Sequence, residues 1–336
     1  MLFAGVAEIR TAPLPADQPT PTPVASGALA YAFDGDIYIA DPDGSNAVKI
    51  ADAVVDAGCG GIGEYETPSW SPDGMYLAFW QPRCRLSGDR LNPADVVITG
   101  PDGNVVAKVP AEGWGFDWSP DSTRVAVWGT FGETVDVYGV DGERQASLPL
   151  PPRMYPHNDS GPGVWMPDGS ALLLYGVFVV PLDGSAPHKL SLGGQDLGGE
   201  ASYSPDGTRV AVDSDNSITV MNADGSPVSE VDAPPISHEL TWSPAGDRFA
   251  TLSDGGLVLV VDVASGTATV LTEARAALSD GRVILDIPAF SRQGDRILYA
   301  SGDGAGGGMA LYSIRVDGSD ARLVVAGTTQ GDWRSR

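Results

Sequence analysis

The side chains able to do metal or nucleophilic chemistry are few in this sequence, and badly spaced for it. The 336 residues include three histidines, His157, His188 and His238, without the paired spacing of zinc ligands, and two cysteines, Cys59 and Cys84, too few for a Cys-rich centre. A serine hydrolase needs a Gly-x-Ser-x-Gly elbow, and no serine here has glycine at both of those flanking positions. No Walker loop is present, and no Rossmann glycine pattern opens a helix. The chemistry left to the chain is that of its carboxylates.

Carboxylates are abundant: Asp and Glu total 44 against 20 Lys and Arg, a formal net charge of −24. A surface of that sign repels a nucleic-acid duplex, and no run of Lys and Arg offers a local exception, so nucleic acid is not an expected partner. The segment Asp41-Pro-Asp43-Gly44-Ser45-Asn46 opens like a calcium loop. Its sixth and twelfth positions are Asn46 and Asp52, where a calcium hand has Gly and a bidentate Glu, so a hairpin turn is the expected role. Asp213-Ser214-Asp215-Asn216-Ser217 is the Asp cluster outside such turns, which makes Asp213 and Asp215 weak candidates for a cation, set against a tight loop solvated by water. No cofactor is expected beyond a structural or channel cation such as calcium. A last group, Glu66, Trp114, Glu200, His238, Glu239 and Asp286, is scattered through the chain but recurs at one point of a repeated pattern.

That pattern sets the fold. Pro68-Ser-Trp70-Ser-Pro-Asp-Gly74 returns around Trp118, Trp165, Tyr203, Trp242 and Phe290, with the aromatic residues 48, 47, 38, 39 and 48 positions apart. The period is that of one four-stranded propeller blade. Each unit opens with a short strand that ends at the aromatic residue, followed by a Ser-Pro-Asp-Gly turn in which Pro presets φ and Gly supplies positive φ. An alternating strand follows, such as Arg124-Val-Ala-Val-Trp128 or Arg209-Val-Ala-Val212. A third strand, an Asp-Gly hairpin and a fourth edge strand complete the unit. Gly at 43 and Pro at 27, spread along the chain, agree with many tight turns.

The ends supply the count. Residues 28–50 hold a second, third and fourth strand with no aromatic first strand before them, whereas Gly331-Asp332-Trp333 lies 43 residues beyond Phe290 and matches the start of a unit. The expected architecture is all-β: a seven-bladed propeller of four-stranded antiparallel blades, closed by the C-terminal strand pairing with the N-terminal blade, which removes exposed edges. The ring is expected over 28–336. Residues 1–27, rich in Pro, Thr and Ala, read as a flexible tether, and their apolar start lacks the basic residues and length of a signal peptide. The longest apolar run, Leu172 to Val180, is too short to span a bilayer.

The Trp-Ser-Pro-Asp-Gly and Asn-Ala-Asp-Gly units resemble those of TolB-type, WD-like propellers over residues 28–336. The resemblance implies the blade. It is less specific for function, because such repeats occur in periplasmic Tol proteins, in surface proteins and in propellers attached to hydrolases. Tol proteins of this type have six blades and a separate α/β domain, where this sequence counts to seven with a tether.

Blade connectivity places the turns between strands one and two, and three and four, on one face. The loops between strands two and three and between blades lie on the other face and are long, which is where recognition usually resides. Cys59 and Cys84 fall in two of these loops and are a candidate disulfide, which fits an extracytoplasmic location, whether periplasmic, cell-surface or secreted. Glu66, Trp114, Glu200, His238, Glu239 and Asp286 precede first strands at the channel mouth on this face, with His157 and Asp159 in an adjacent loop. Solvated rim charge is the plain reading. The functional one is an acidic funnel with an aromatic wall, receiving a cation or a basic segment of a partner. The expected function is a non-catalytic binding or scaffold propeller for a protein partner or cell-envelope assembly. The alternative is a lactonase-like or lyase-like enzyme working through the same carboxylates.

Overall fold

A computed structural model describes residues 28–52, 68–82, 94–111, 115–128, 134–150, 164–174, 178–196, 201–214, 217–232, 236–253, 256–273, 288–302, 309–328 and 330–333. These form seven four-stranded antiparallel sheets and one two-stranded hairpin, with no helix among the described residues and hence none long and apolar enough to cross a membrane.

The blades are given in ring order, each from inner to outer strand. Blade 1 is composite: Gly331–Trp333, Leu29–Phe33, Asp36–Ala40 and Val48–Asp52. Blade 2 is Ser69–Trp70, Leu77–Pro82, Ala94–Thr99 and Val105–Ala111, and blade 3 is Gly115–Trp118, Arg124–Trp128, Thr134–Gly139 and Arg144–Pro149. Blade 4 is Val164–Trp165, Ala171–Leu174, Phe178–Pro181 and His188–Lys189; blade 5 is Ala201–Tyr203, Arg209–Ser214, Ser217–Asn222 and Pro227–Asp232. Blade 6 is Ile236–Trp242, Arg248–Ser253, Leu257–Asp262 and Thr267–Glu273, and blade 7 is Ala289–Phe290, Arg296–Gly302, Met309–Arg315 and Arg322–Ala326. The expected closure is present, with Leu29, Ala30 and Tyr31 pairing Trp333, Asp332 and Gly331. Between blades 4 and 5, Ser191–Leu192 pairs Gln195–Asp196, a short hairpin within the connection between the two blades.

The alternation of the second and third strands buries both faces of each blade, because each sheet has a neighbour on either side. The core is therefore divided into seven clusters, one per seam. Trp118 packs on Ala78, Val96 and Ile98 of blade 2, Trp165 on Ala126 and Val135 of blade 3, and Trp333 on Leu298 and Leu311 of blade 7. The repeated aromatic residue is thus a wedge between blades, contributing buried area. Its indole N–H also reports the spacing: Trp118, Trp165 and Trp242 donate to the carbonyls of Ser69, Asp117 and Ser202 in the preceding blade, at 3.1, 3.1 and 3.3 Å.

Candidate functional site

The two ends of the ring differ in what their polar groups are doing. On the short-turn face the carboxylates serve the turns. Ser71, Ser119 and Ser204 donate from Oγ to Asp73, Asp121 and Asp206 at 2.7, 2.5 and 2.6 Å. The same oxygens accept the N–H that starts the second strand, from Tyr76, Arg124 and Arg209. In blade 6 the Asp of the motif is Ala245, and in blade 7 it is Gln293; there Ser243 and Ser291 turn to Asp247 and Asp295, both at 2.8 Å. The hairpins between third and fourth strands are capped likewise. Asp43, Asp102, Asp141, Asp183, Asp224 and Asp317 each accept the backbone N–H two residues on, and Asp262 that of Ser265. These bonds hold Asp43, Asp183, Asp224 and Asp317 below the usual carboxylate range, Ser45, Ser185, Ser226 and Ser319 being the chief donors. The Asp-Gly sequence is turn chemistry, and no group of three or more His, Cys, Asp and Glu suited to a metal occurs among the described residues.

On the opposite face the ends of strands are described and most loops are not. Glu66, Trp114, His157, Asp159, Glu200, Asp215, Asp286, Cys59 and Cys84 lie outside the described residues. His238 and Glu239 fall in the inner strand of blade 6, where the register jumps: Ile236 pairs Ser253 and Leu240 pairs Thr251, so three residues oppose one. Such a bulge interrupts the regular pairing of the inner strand, a feature common beside functional sites. Asp213, partly exposed, pairs Ile218 near the end of the second and third strands of blade 5. In blade 1 the second and third strands are joined by Asp34-Gly35, both at positive φ, the tight Asp-Gly hairpin that the twist of paired strands favours.

The inner strands hold a pair of carboxylates that the sequence reading passed over. Asp117 accepts the backbone N–H of Trp165 in the next blade at 3.0 Å, and Asp332 that of Trp70 at 2.9 Å. Each precedes a first-strand Trp, so Asp-Trp is a device that ties one inner strand to the next. Asp117 keeps some surface yet is crowded on all sides by protein, and desolvation raises its pKa to about 7 despite the N–H groups of Trp165 and Trp118. The repeated dipeptide was the available signal.

No protein-family model matches the chain, and no curated protein matches it. It is similar in structure to a protein of unknown function from Desulfotomaculum acetoxidans, with 13% identity, a TM-score of 0.60, and 92% of this chain and 99% of that one covered. It is similar to the β-propeller domain of Cps50 (Swd1) from Myceliophteria thermophila, with 13% identity, a TM-score of 0.54, and 78% and 86% covered. A candidate 6-phosphogluconolactonase from Bacteroides uniformis is similar too, with 14% identity, a TM-score of 0.55, and 91% and 99% covered. At these identities the likeness shows the fold, a seven-bladed β-propeller, and nothing finer.

Proposed function

We propose that this propeller is a non-catalytic binding or scaffold module acting outside the cytoplasm, with recognition on the long-loop face around the channel mouth. The observation that carries the reading is the division of labour between the two faces. Turn carboxylates along the short-turn face are consumed by their own hydroxyl and N–H groups, so that face is built for holding blades together. Variable recognition then falls to the other face, and the register shift between Ile236 and Leu240, which spans His238 and Glu239, supports that reading. Glu66, Glu200, Glu239 and Asp286 supply the negative charge, Trp114 an aromatic wall, and His157, Asp159 and His238 further polar groups. The partner is a protein with a basic segment, or an assembly of the cell envelope, and the repeat is of the TolB type.

The test is a triple replacement, Glu200, Glu239 and Asp286 each to Ala, with binding measured against Lys- and Arg-rich peptides and against calcium. Affinity should fall by about tenfold or more, since several charged contacts vanish together. Unchanged binding removes the funnel. The similarity to a candidate 6-phosphogluconolactonase favours one second reading, that the rim carboxylates hydrolyse a sugar lactone. Turnover of such a lactone by the wild-type chain, abolished in the triple variant, would replace the binding reading with that one.

A further inference from the structure

One seam breaks the pattern of the short-turn face. Elsewhere the arginine that begins a second strand can reach across to the turn of the next blade: Arg124 donates to the Gly169 carbonyl at 3.3 Å with its guanidinium 4.6 Å over the Trp165 ring, and Arg209 donates to the Gly246 carbonyl at 3.0 Å. Arg296 of blade 7 occupies the same place facing blade 1. Blade 1 takes its first strand from Gly331–Trp333 and its second from Leu29–Phe33, so no Ser-Pro-Asp-Gly turn joins them. Arg296 folds back instead onto Ser313 and Asp320, at 3.0 and 2.9 Å. A cavity of about 290 Å³ opens at this seam, walled by Pro42, Leu323, Val324 and Trp333 and by Arg292, Arg296 and Arg322.

The charge of this cavity runs against that of the molecule. Arg296, Arg322 and Arg315 all share the single carboxylate of Asp320, at 2.9, 2.7 and 3.7 Å. Arg292 is exposed and has no acceptor among the described residues. The two carboxylates in the wall itself are engaged, Asp43 by Ser45 and Asp295 by Ser291. Trp333, 5% exposed, adds a buried indole N–H without an acceptor among the described residues, a property it shares with the Trp70 indole at the next seam, whereas Trp118, Trp165 and Trp242 donate theirs. The chain thus gathers here the arginine cluster that its linear sequence did not display.

We propose that this seam binds a carboxylate, which supplies Arg292 with the oxygen acceptors it lacks among the described residues. A planar guanidinium matches a carboxylate, and Asp320 already accepts from two of these arginines, Arg296 on one oxygen and Arg322 on the other. A carboxylate is preferred to a dianionic phosphate because the net charge of −24 repels the second charge. The apolar wall selects a carboxylate carried on a small apolar body, and the volume lies at the lower end of small-molecule sites. The carboxylate comes either from a free small acid or from an acidic side chain of a partner peptide. This site is on the face opposite the proposed funnel and stands independently of it.

The full chain is titrated calorimetrically at low salt with benzoate, benzamide, inorganic phosphate and a blocked tetrapeptide containing one Asp. Benzoate or the peptide should bind, the tighter of the two identifying the source, and benzamide should not. Arg292→Ala should weaken that binding about tenfold or more, with Arg292→Lys intermediate. Its melting temperature should match the wild type, because Arg292 holds nothing in place. Absence of binding by both carboxylates, equal affinity in wild type and Arg292→Ala, or tighter binding of phosphate would each overturn the assignment.

Discussion

The carboxylates of this ring divide into two populations with opposite pH consequences. Asp121 represents the first: partial burial raises its pKa, but the bonds from Ser119 and Thr123 and the charge of Arg124 outweigh this and leave it at about 2. A carboxyl depressed in the fold stabilises above its unfolded value of 3.8, and that stability is lost as pH falls toward about 2. Asp206, Asp262 and Asp168 share the direction. Asp117 is the reverse. With a folded pKa of about 7, its contribution is fully present below pH 3.8 and is lost as pH rises through 7, by at most roughly 4 kcal/mol. Thermal melts at a series of pH values should show wild-type stability falling toward pH 2 on the acid side and declining again between about 4 and 7 on the other. In Asp117→Asn, which keeps an oxygen for the Trp165 N–H and loses the charge, the second decline should flatten. Parallel wild-type and variant curves would show that Asp117 is not the group responsible.

At the scale of turns and strands, two substitution sets separate what a local motif says from what packing adds. The Ser of the first turn finds its Asp at either of two positions, before the glycine in Ser-Pro-Asp-Gly or after it in Ser243-Pro-Ala-Gly-Asp247. Asp247→Ala should cost about 1 kcal/mol, the worth of one such bond, and adding Ala245→Asp should restore most of it, as read from denaturant midpoints. Failure of the rescue would mean that the two positions are not equivalent. Gly44 and Gly184 make the second set, both in Asp-Gly hairpins at φ near +80°. A methyl group on Gly44 would run into the Val324 carbonyl of blade 7, whereas one on Gly184 meets nothing. Gly184→Ala should therefore show the strain of positive φ alone, on the order of 1 kcal/mol, and Gly44→Ala clearly more. The strands and turns were legible because alternation and Asp-Gly act over a few residues. The close approach of Gly44 to Val324 was not, since turn geometry already accounts for the glycine and a partner nearly 300 residues away leaves no local mark. The pKa of Asp117 was hidden for a like reason: its cause is desolvation, which arises only once the ring has assembled around it.

The whole molecule rests on the pairing of Gly331–Trp333 with Leu29–Phe33, which the sequence disclosed because a blade lacking its first strand at one end met a first strand lacking its blade at the other. The funnel was less legible, because its residues were assigned from loop position, and of them His238 and Glu239 alone fall among the described residues, in a bulge that no pattern announced. Closure has a measurable consequence. Leu29, Tyr31 and Trp333 form one core with Leu298, Ala300 and Leu311, so the last strand buries the seam between blades 7 and 1 while covering the edge of Leu29–Phe33. Trp333→Ala removes the wedge and leaves the strand, at an expected cost of about 3–5 kcal/mol. Ending the chain after Gln330 removes both, and the bare edge of an otherwise folded sheet is a template for pairing with another copy. The truncated protein should melt well below Trp333→Ala and should move to dimers or larger species in light scattering, while Trp333→Ala stays in the state of the wild type. Equal melting temperatures for the two variants, with no change in mass for either, would mean that the ring holds without its closing strand, and the core at that seam would then need another explanation.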